Sequence, residues 1–190
     1  QCDNTNLMFD WTFRPRMEKA KIWRTKSRQL GISWDDEHYD TWFYLSQKGR
    51  VKLVSRNEKL VDNGVTTAAM FGKVKYILTR IGEHAPHILP AGYSAQQLLS
   101  KPYYKHMLLI HPVSGCELVG ESTTKEVGRG GTYTYGRPDE DAFIDNLDDT
   151  LTSMAGSCPR LFPASTESFE KGEAHFSGWQ AAKAENPELV

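Results

Sequence analysis

The stretch 126–143, EVGRGGTYTYGRPDEDAF, contains residue types from which phosphate-binding loops are built: closely spaced glycines, an arginine among them and a helix-like run behind. Such a loop presents backbone N–H groups and a lysine to phosphate oxygens and a hydroxyl to magnesium, in the pattern G-x-x-x-x-G-K-[ST]. Gly131 and Gly136 have the spacing, but Arg137 and Pro138 follow, so the hydroxyl is missing and a backbone donor is lost. The dinucleotide pattern G-x-G-x-x-G fits at Gly128 and Gly130 and fails at Tyr133. The order is also wrong, because phosphate loops run strand, glycines, helix, and these glycines precede the alternating TYTY. A helix starting at Pro138 would hold Asp139, Glu140 and Asp141 in its first turn, each stabilising the positive dipole end by about 0.3–1 kcal/mol and repelling a phosphate. The segment therefore reads as a turn, a strand and a self-capped helix. Arg129, on its glycine flank, is left to reach a carboxylate of this chain or of a partner.

Three further chemistries have candidate residues. A thiol nucleophile needs a nearby base, and Cys116 with His106 or His111, or Cys158 with His175, are the pairs available to a thiol-dependent hydrolase or transferase. Metal binding has GEHAPH, with Glu83, His84 and His87, but a loop broken by Pro86 does not fix three ligands on one face. The acids at 139, 141, 145, 148 and 149 lack the loop glycine and terminal glutamate of an EF-hand and read as a solvated helix face. No metal and no cofactor is expected. Nucleic-acid association would rest on the basic run Arg14, Arg16, Lys19, Lys21, Arg24, Lys26 and Arg28 with Trp11 and Trp23 for stacking. Those side chains surround a helix rather than line one face.

The elements that must position these residues follow from periodicity and punctuation. Residues 15–30 suit a helix, with Pro15 in its first turn and Gly31 past its end. Ser33, followed three residues later by Asp36, resembles a capping box opening a second helix that stops near Gly49, so the two form a helical hairpin. The stretch 51–64 suggests a short β-hairpin. Met70, Phe71, Val74, Ile77, Leu78 and Ile81 share one face of a core helix ending near Gly82. Two strands flank the turn PVSG at 112–115, the first nearly continuous in apolar residues and so expected at the sheet's centre. TYTYG forms a further strand, and an acidic amphipathic helix covers 138–154 with Phe143, Ile144, Leu147, Leu151 and Met154 inward.

The fold class expected is α+β: an N-terminal helical hairpin and amphipathic helices on a small, mainly antiparallel sheet. Residues 1–13 are read as an extended arm, 14–154 as the domain and 155–190 as a second arm. A length of 190 residues suits one core. Residues 1–82 carry a charge of +6 and 83–190 carry −7, a dipolar balance unlike that of a dedicated nucleic-acid binder. No run approaches the roughly 18–20 apolar residues of a membrane span. Gln1 in place of methionine reads as the trace of a removed segment, which leaves a processed organelle protein and a cytoplasmic one both open, and the absence of an Asn-X-Ser/Thr acceptor points away from secretion. Taken together these features suggest a non-catalytic accessory subunit docking into a larger protein assembly. The interface candidates are Trp11, Phe13, Trp23, Arg24, Arg28, Arg129, Phe162, Phe169, Phe176 and Trp179, residue types that interfaces favour. The partners expected are other protein subunits, with nucleic acid through helix 14–28 as the alternative.

Overall fold

The computed structural model describes residues 22–26, 31–64, 66–123, 130–166 and 173–185. Its strands are β1 (Arg24–Lys26), β2 (Arg50–Ser55), β3 (Tyr104–Lys105), β4 (Leu108–Ile110), β5 (Glu117–Ser122), β6 (Tyr135–Pro138) and β7 (Ala164–Thr166). The helices, numbered separately from short 3-10 turns at Pro86–Ile88 and Asp141–Phe143, are α1 (Ile32–Ser46), α2 (Glu58–Val61), α3 (Met70–His84), α4 (Ala95–Leu98), α5 (Leu147–Ala155) and α6 (Glu173–Glu185). The α+β class expected from the sequence holds.

The main sheet is mixed, in the order β3-β4-β5-β2-β6. β2 lies parallel to β5 on one side and β6 on the other, while β3, β4 and β5 pair antiparallel. Beyond β6, parallel bridges Gly136↔Leu161 and Asp139↔Ala164 lead to β7, which pairs in parallel with β1. The strands β1, β7, β6, β2 and β5 therefore share one direction, and their carboxyl ends form one edge. In open α/β sheets that edge is where ligands bind.

β2 is central because both of its faces are covered: Val51, Leu53 and Val54 are fully buried. Val51 and Leu53 belong to one cluster with Tyr44 of α1, Phe71, Val74 and Leu78 of α3, and Leu118 of β5, while Val54 belongs to a second with Met154, Cys158 and Leu161. Gly120 lets α2 and α3 come close to β5, since a Cβ there would sit 2.6 Å from Val61 Cγ1 and 2.9 Å from Phe71 Cε2. On β6 the side chains alternate: Tyr135 packs edge-on to Phe43 of α1 at 5.1 Å, while Gly136 faces Met154 and Cys158.

Several local expectations change. Residues 24–26, read as helix, form β1; the rest of the expected helix at 15–21 and 27–30 lies outside the described residues. α1 and α3 occur where their glycine stops and apolar stripe put them, but Gly31 in the left-handed region, not Ser33, caps α1. The expected hairpin at 51–64 is strand β2 followed by α2, whose cap is Asn57 accepting from Leu60 N. β4 and β5 form the hairpin around PVSG, but the central strand is β2 with β5 beside it, not β4. Finally, 138–146 is not an α-helix: β6 runs to Pro138, Asp139 N donates to Val54 O at 2.9 Å, only a 3-10 turn forms at Asp141–Phe143, and α5 begins at Leu147.

Candidate functional site

At the carboxyl edge β1 ends at Lys26, residues 27–30 lie outside the described residues, and α1 opens behind Gly31. Gly31 has φ 77° and ψ 4°, and its carbonyl accepts from Trp34 N at 2.8 Å and Asp35 N at 3.2 Å, so the helix opens immediately behind it. A helix start carries partial positive charge, which favours an anion, and here Asp35 in the same turn sets a carboxylate against it. Ser33 sits in that first turn.

The acids that follow β6 stand at the same edge. Asp139 continues the β6 ladder, its side chain largely buried, and Ser55 Oγ at the end of β2 donates to its carbonyl at 3.2 Å. Glu140 adopts φ 54° and ψ 38°, a conformation that costs a non-glycine residue roughly 1–2 kcal/mol and often marks a functional position. Thr166 Oγ1, at the end of β7, donates to Glu140 Oε2 at 3.3 Å. Arg56, just past β2, lies over the Phe143 ring at 5.6 Å and adds a cation to the rim. Behind Glu140, Asp141 Oδ2 pairs with His175 Nδ1 of α6 at 2.8 Å, both groups buried. Burial pushes the Asp141 carboxyl up despite that histidine.

A buried ionic cluster lies directly behind this edge. Arg137 of β6, wholly buried, donates from Nε to Asp40 Oδ2 at 2.7 Å. Its Nη2 is 2.9 Å from Glu37 Oε1, in ion-pair range but not at a hydrogen-bonding angle, and its Nη1 is 3.7 Å from Asp36 Oδ2. All three acids belong to α1, and Asp36 also pairs with Arg24 of β1. Burial works against the charge of Arg137, but the carboxylates of Asp40, Glu37 and Asp36 outweigh it and hold its pKa above the ordinary value. Burial pushes the Glu37 carboxyl up to about 8 against the pull of Arg137.

The structure separates the sequence candidates. Trp11, Phe13, Arg28, Arg129 and Phe169 lie outside the described residues. Trp23 stands edge-on to His175 at 5.4 Å and against Gly178, Arg24 pairs with Asp36, and Phe162 is fully buried among Tyr39 and Tyr135. Phe176 is exposed and packs on half-buried Trp179 at 5.8 Å. Cys116 and Cys158 are buried, and burial pushes the Cys116 thiol up to about 12 and raises that of Cys158. Nucleophilic thiols need the opposite. His111 Nδ1 accepts instead from Val113 N and Ser114 N of its own turn. Among the described residues no group of three or more His, Cys, Asp or Glu is set to hold a metal ion, and no helix is long and apolar enough to cross a membrane.

Gly31 and Ser33 at the start of α1, and Asp139, Glu140 and Thr166 past or at the strand ends, are not singled out together in the sequence. Their signal was present: KSRQLGIS at 26–33 matches G-x-x-x-x-G-K-[ST] at its glycine and serine, and an Asp-Glu pair ends an alternating strand.

No family model and no curated protein matches this sequence. Among solved structures, the large terminase of bacteriophage HK97 superposes with a TM-score of 0.64 at 12% identity, over 96% of this chain and 37% of that one. The large terminase ATPase domain of Thermus phage P74-26 gives 0.49 at 16% identity, over 80% of this chain and 62% of that one, too remote to carry an argument. The chain thus spans little more than a third of the HK97 protein, and the likeness is one of fold. It corrects the expectation of a non-catalytic accessory subunit: the chain is folded as part of a large terminase is.

Proposed function

We propose that this chain is a nucleotide-hydrolysing module of a terminase-like protein, binding nucleoside triphosphate at the carboxyl edge of its parallel strands. The observation that carries the reading is a juxtaposition. Gly31 and Ser33 open α1, which follows β1 in the sequence, and Asp139 and Glu140 directly follow β6, with β7 bridging the two strands. In P-loop enzymes such a loop wraps the phosphates, and an acid ending a neighbouring strand serves the metal and the water.

The loop departs from the usual pattern in one respect: Ile32 stands where the lysine belongs. Lys26, at the first position of the same eight-residue pattern, and Arg28 within it supply positive charge to the loop instead. Phosphate recognition tolerates such a relocation because it depends on charge and N–H groups more than on one stem position. A phosphate-bound Mg2+ takes few protein ligands, and the Ser33 hydroxyl and Asp139 carboxylate are the groups that would hold it, neutralising charge on the phosphates. Glu140 then orients the attacking water and accepts its proton as the hydroxyl joins the terminal phosphorus and the bond to the nucleoside diphosphate breaks. Thr166 holds that carboxylate from the adjoining strand. As part of a terminase-like protein, the module would act together with other protein subunits and nucleic acid.

Titration of the intact chain with Mg·ATP by calorimetry tests the reading. Saturable binding, weakened at least about tenfold by Ser33→Ala or Lys26→Ala, is expected; heats indistinguishable from dilution would overturn it.

A further inference from the structure

Arg137 stands two residues before Asp139 yet does not face the edge where the proposed chemistry takes place. It points into α1, where it meets Asp36, Glu37 and Asp40. Asp40 accepts a second bond, from Tyr135 OH at 2.6 Å, and Asp36 is shared with Arg24 of β1. One network therefore joins the strand before the loop, the helix after it and the strand that delivers the two acids.

Buried ion clusters are a poor way to gain stability, since apolar residues of similar volume often do as well or better. They are directional, however, because a guanidinium fork fits carboxylates only in defined planes. Glu37 sharpens the point: neither of its buried oxygens has a hydrogen-bond partner among the described groups, so the cluster is not tuned for stability. We propose that Arg137 is a positioning residue that locks the strand before Asp139 and Glu140 to the start of α1, setting the distance between phosphates bound at Gly31 and Ser33 and the water-orienting carboxylate. This rests on the nucleotide-hydrolysis reading above.

The test compares the intact chain with Arg137→Lys, which keeps the charge and loses the fork, and with Asp40→Asn, which keeps the volume and an acceptor for Tyr135. Steady-state hydrolysis of Mg·ATP is measured beside amide hydrogen exchange of the nucleotide-free proteins. Expected for both variants is a fall in kcat of up to about a hundredfold, as for a misplacement on the ångström scale, with KM within about twofold because loop 27–31 is untouched. Faster exchange should be confined to the start of α1 and to 139–144. A folded Arg137→Lys protein with unchanged kcat overturns the proposal. So does exchange accelerated equally across β4 and β5, which would mark a general stabiliser. If the unaltered chain neither binds nor hydrolyses nucleotide, the nucleotide reading fails by itself, and localised or uniform exchange still decides whether Arg137 holds β6 to α1.

Discussion

Two loops of this chain invite the same reading and stand at opposite edges of one sheet. The glycine-rich segment leads into β6 at the end where β2 begins: Thr134 N donates to Arg50 O at 2.7 Å, and a Cβ on Gly131 would meet Arg50 Nη1 at 2.5 Å. The plainer segment 27–31 follows β1 in the sequence, and β7, the partner of β1, bridges to Asp139 at the other edge. Glycine content does not separate them; direction does. A loop entering a parallel strand points its amides away from the edge where helix starts and strand-end acids converge, and a loop leaving one points toward it.

Five substitutions sharpen this contrast. The largest effect is expected from Glu140→Gln, which preserves shape and removes the base: hydrolysis should fall by about 10²–10⁴-fold while nucleotide affinity stays within severalfold. An equal loss of binding in titrations would return Glu140 to a structural role. Next come matched glycines. Gly31 and Gly131 both hold positive φ, 77° and 83°, so alanine at either should cost about 1–2 kcal/mol of stability in denaturant unfolding. Only Gly31→Ala should also weaken Mg·ATP; weakening by Gly131→Ala would exchange the roles of the two loops.

A smaller effect concerns Glu37, whose folded-state pKa of about 8 lies above the ordinary 4.5 because of burial. The folded form holds this proton more tightly than the unfolded chain, so the group's contribution is present below pH 4.5 and declines as pH rises towards 8. Glu37→Gln, which mimics the protonated acid, should therefore raise Tm relative to the parent more at pH 8.5 than at pH 5. A difference that is flat with pH would mean that Glu37 is already ionised in the fold. The smallest effect, a null one, is expected for Arg129→Ala on nucleotide binding.

Much of the framework was legible locally. The stripe Met70–Phe71–Val74–Ile77–Leu78 announces α3, Gly31 and Gly49 bracket α1, and PVSG joins β4 to β5. The site was not, because both of its halves depend on parallel pairings that leave no local trace. β1 is three residues inside a helix-like run, extended because Arg24 pairs with Ala164 far along the chain. The acids at 139–141 look like a helix cap, yet Asp139 is drawn into the ladder by Val54 and Ala164. Arg137 was read only as a departure from a motif at the wrong loop. Its burial among three acids of α1 could not be inferred from a strand of alternating tyrosines.

Hydrogen exchange of the intact chain with and without Mg·ATP tests the central claim most directly. The account predicts slowed exchange at 26–34 and 139–142 and no change at 128–136. Slowing confined to 128–136, with 26–34 and 139–142 unaffected, would contradict it.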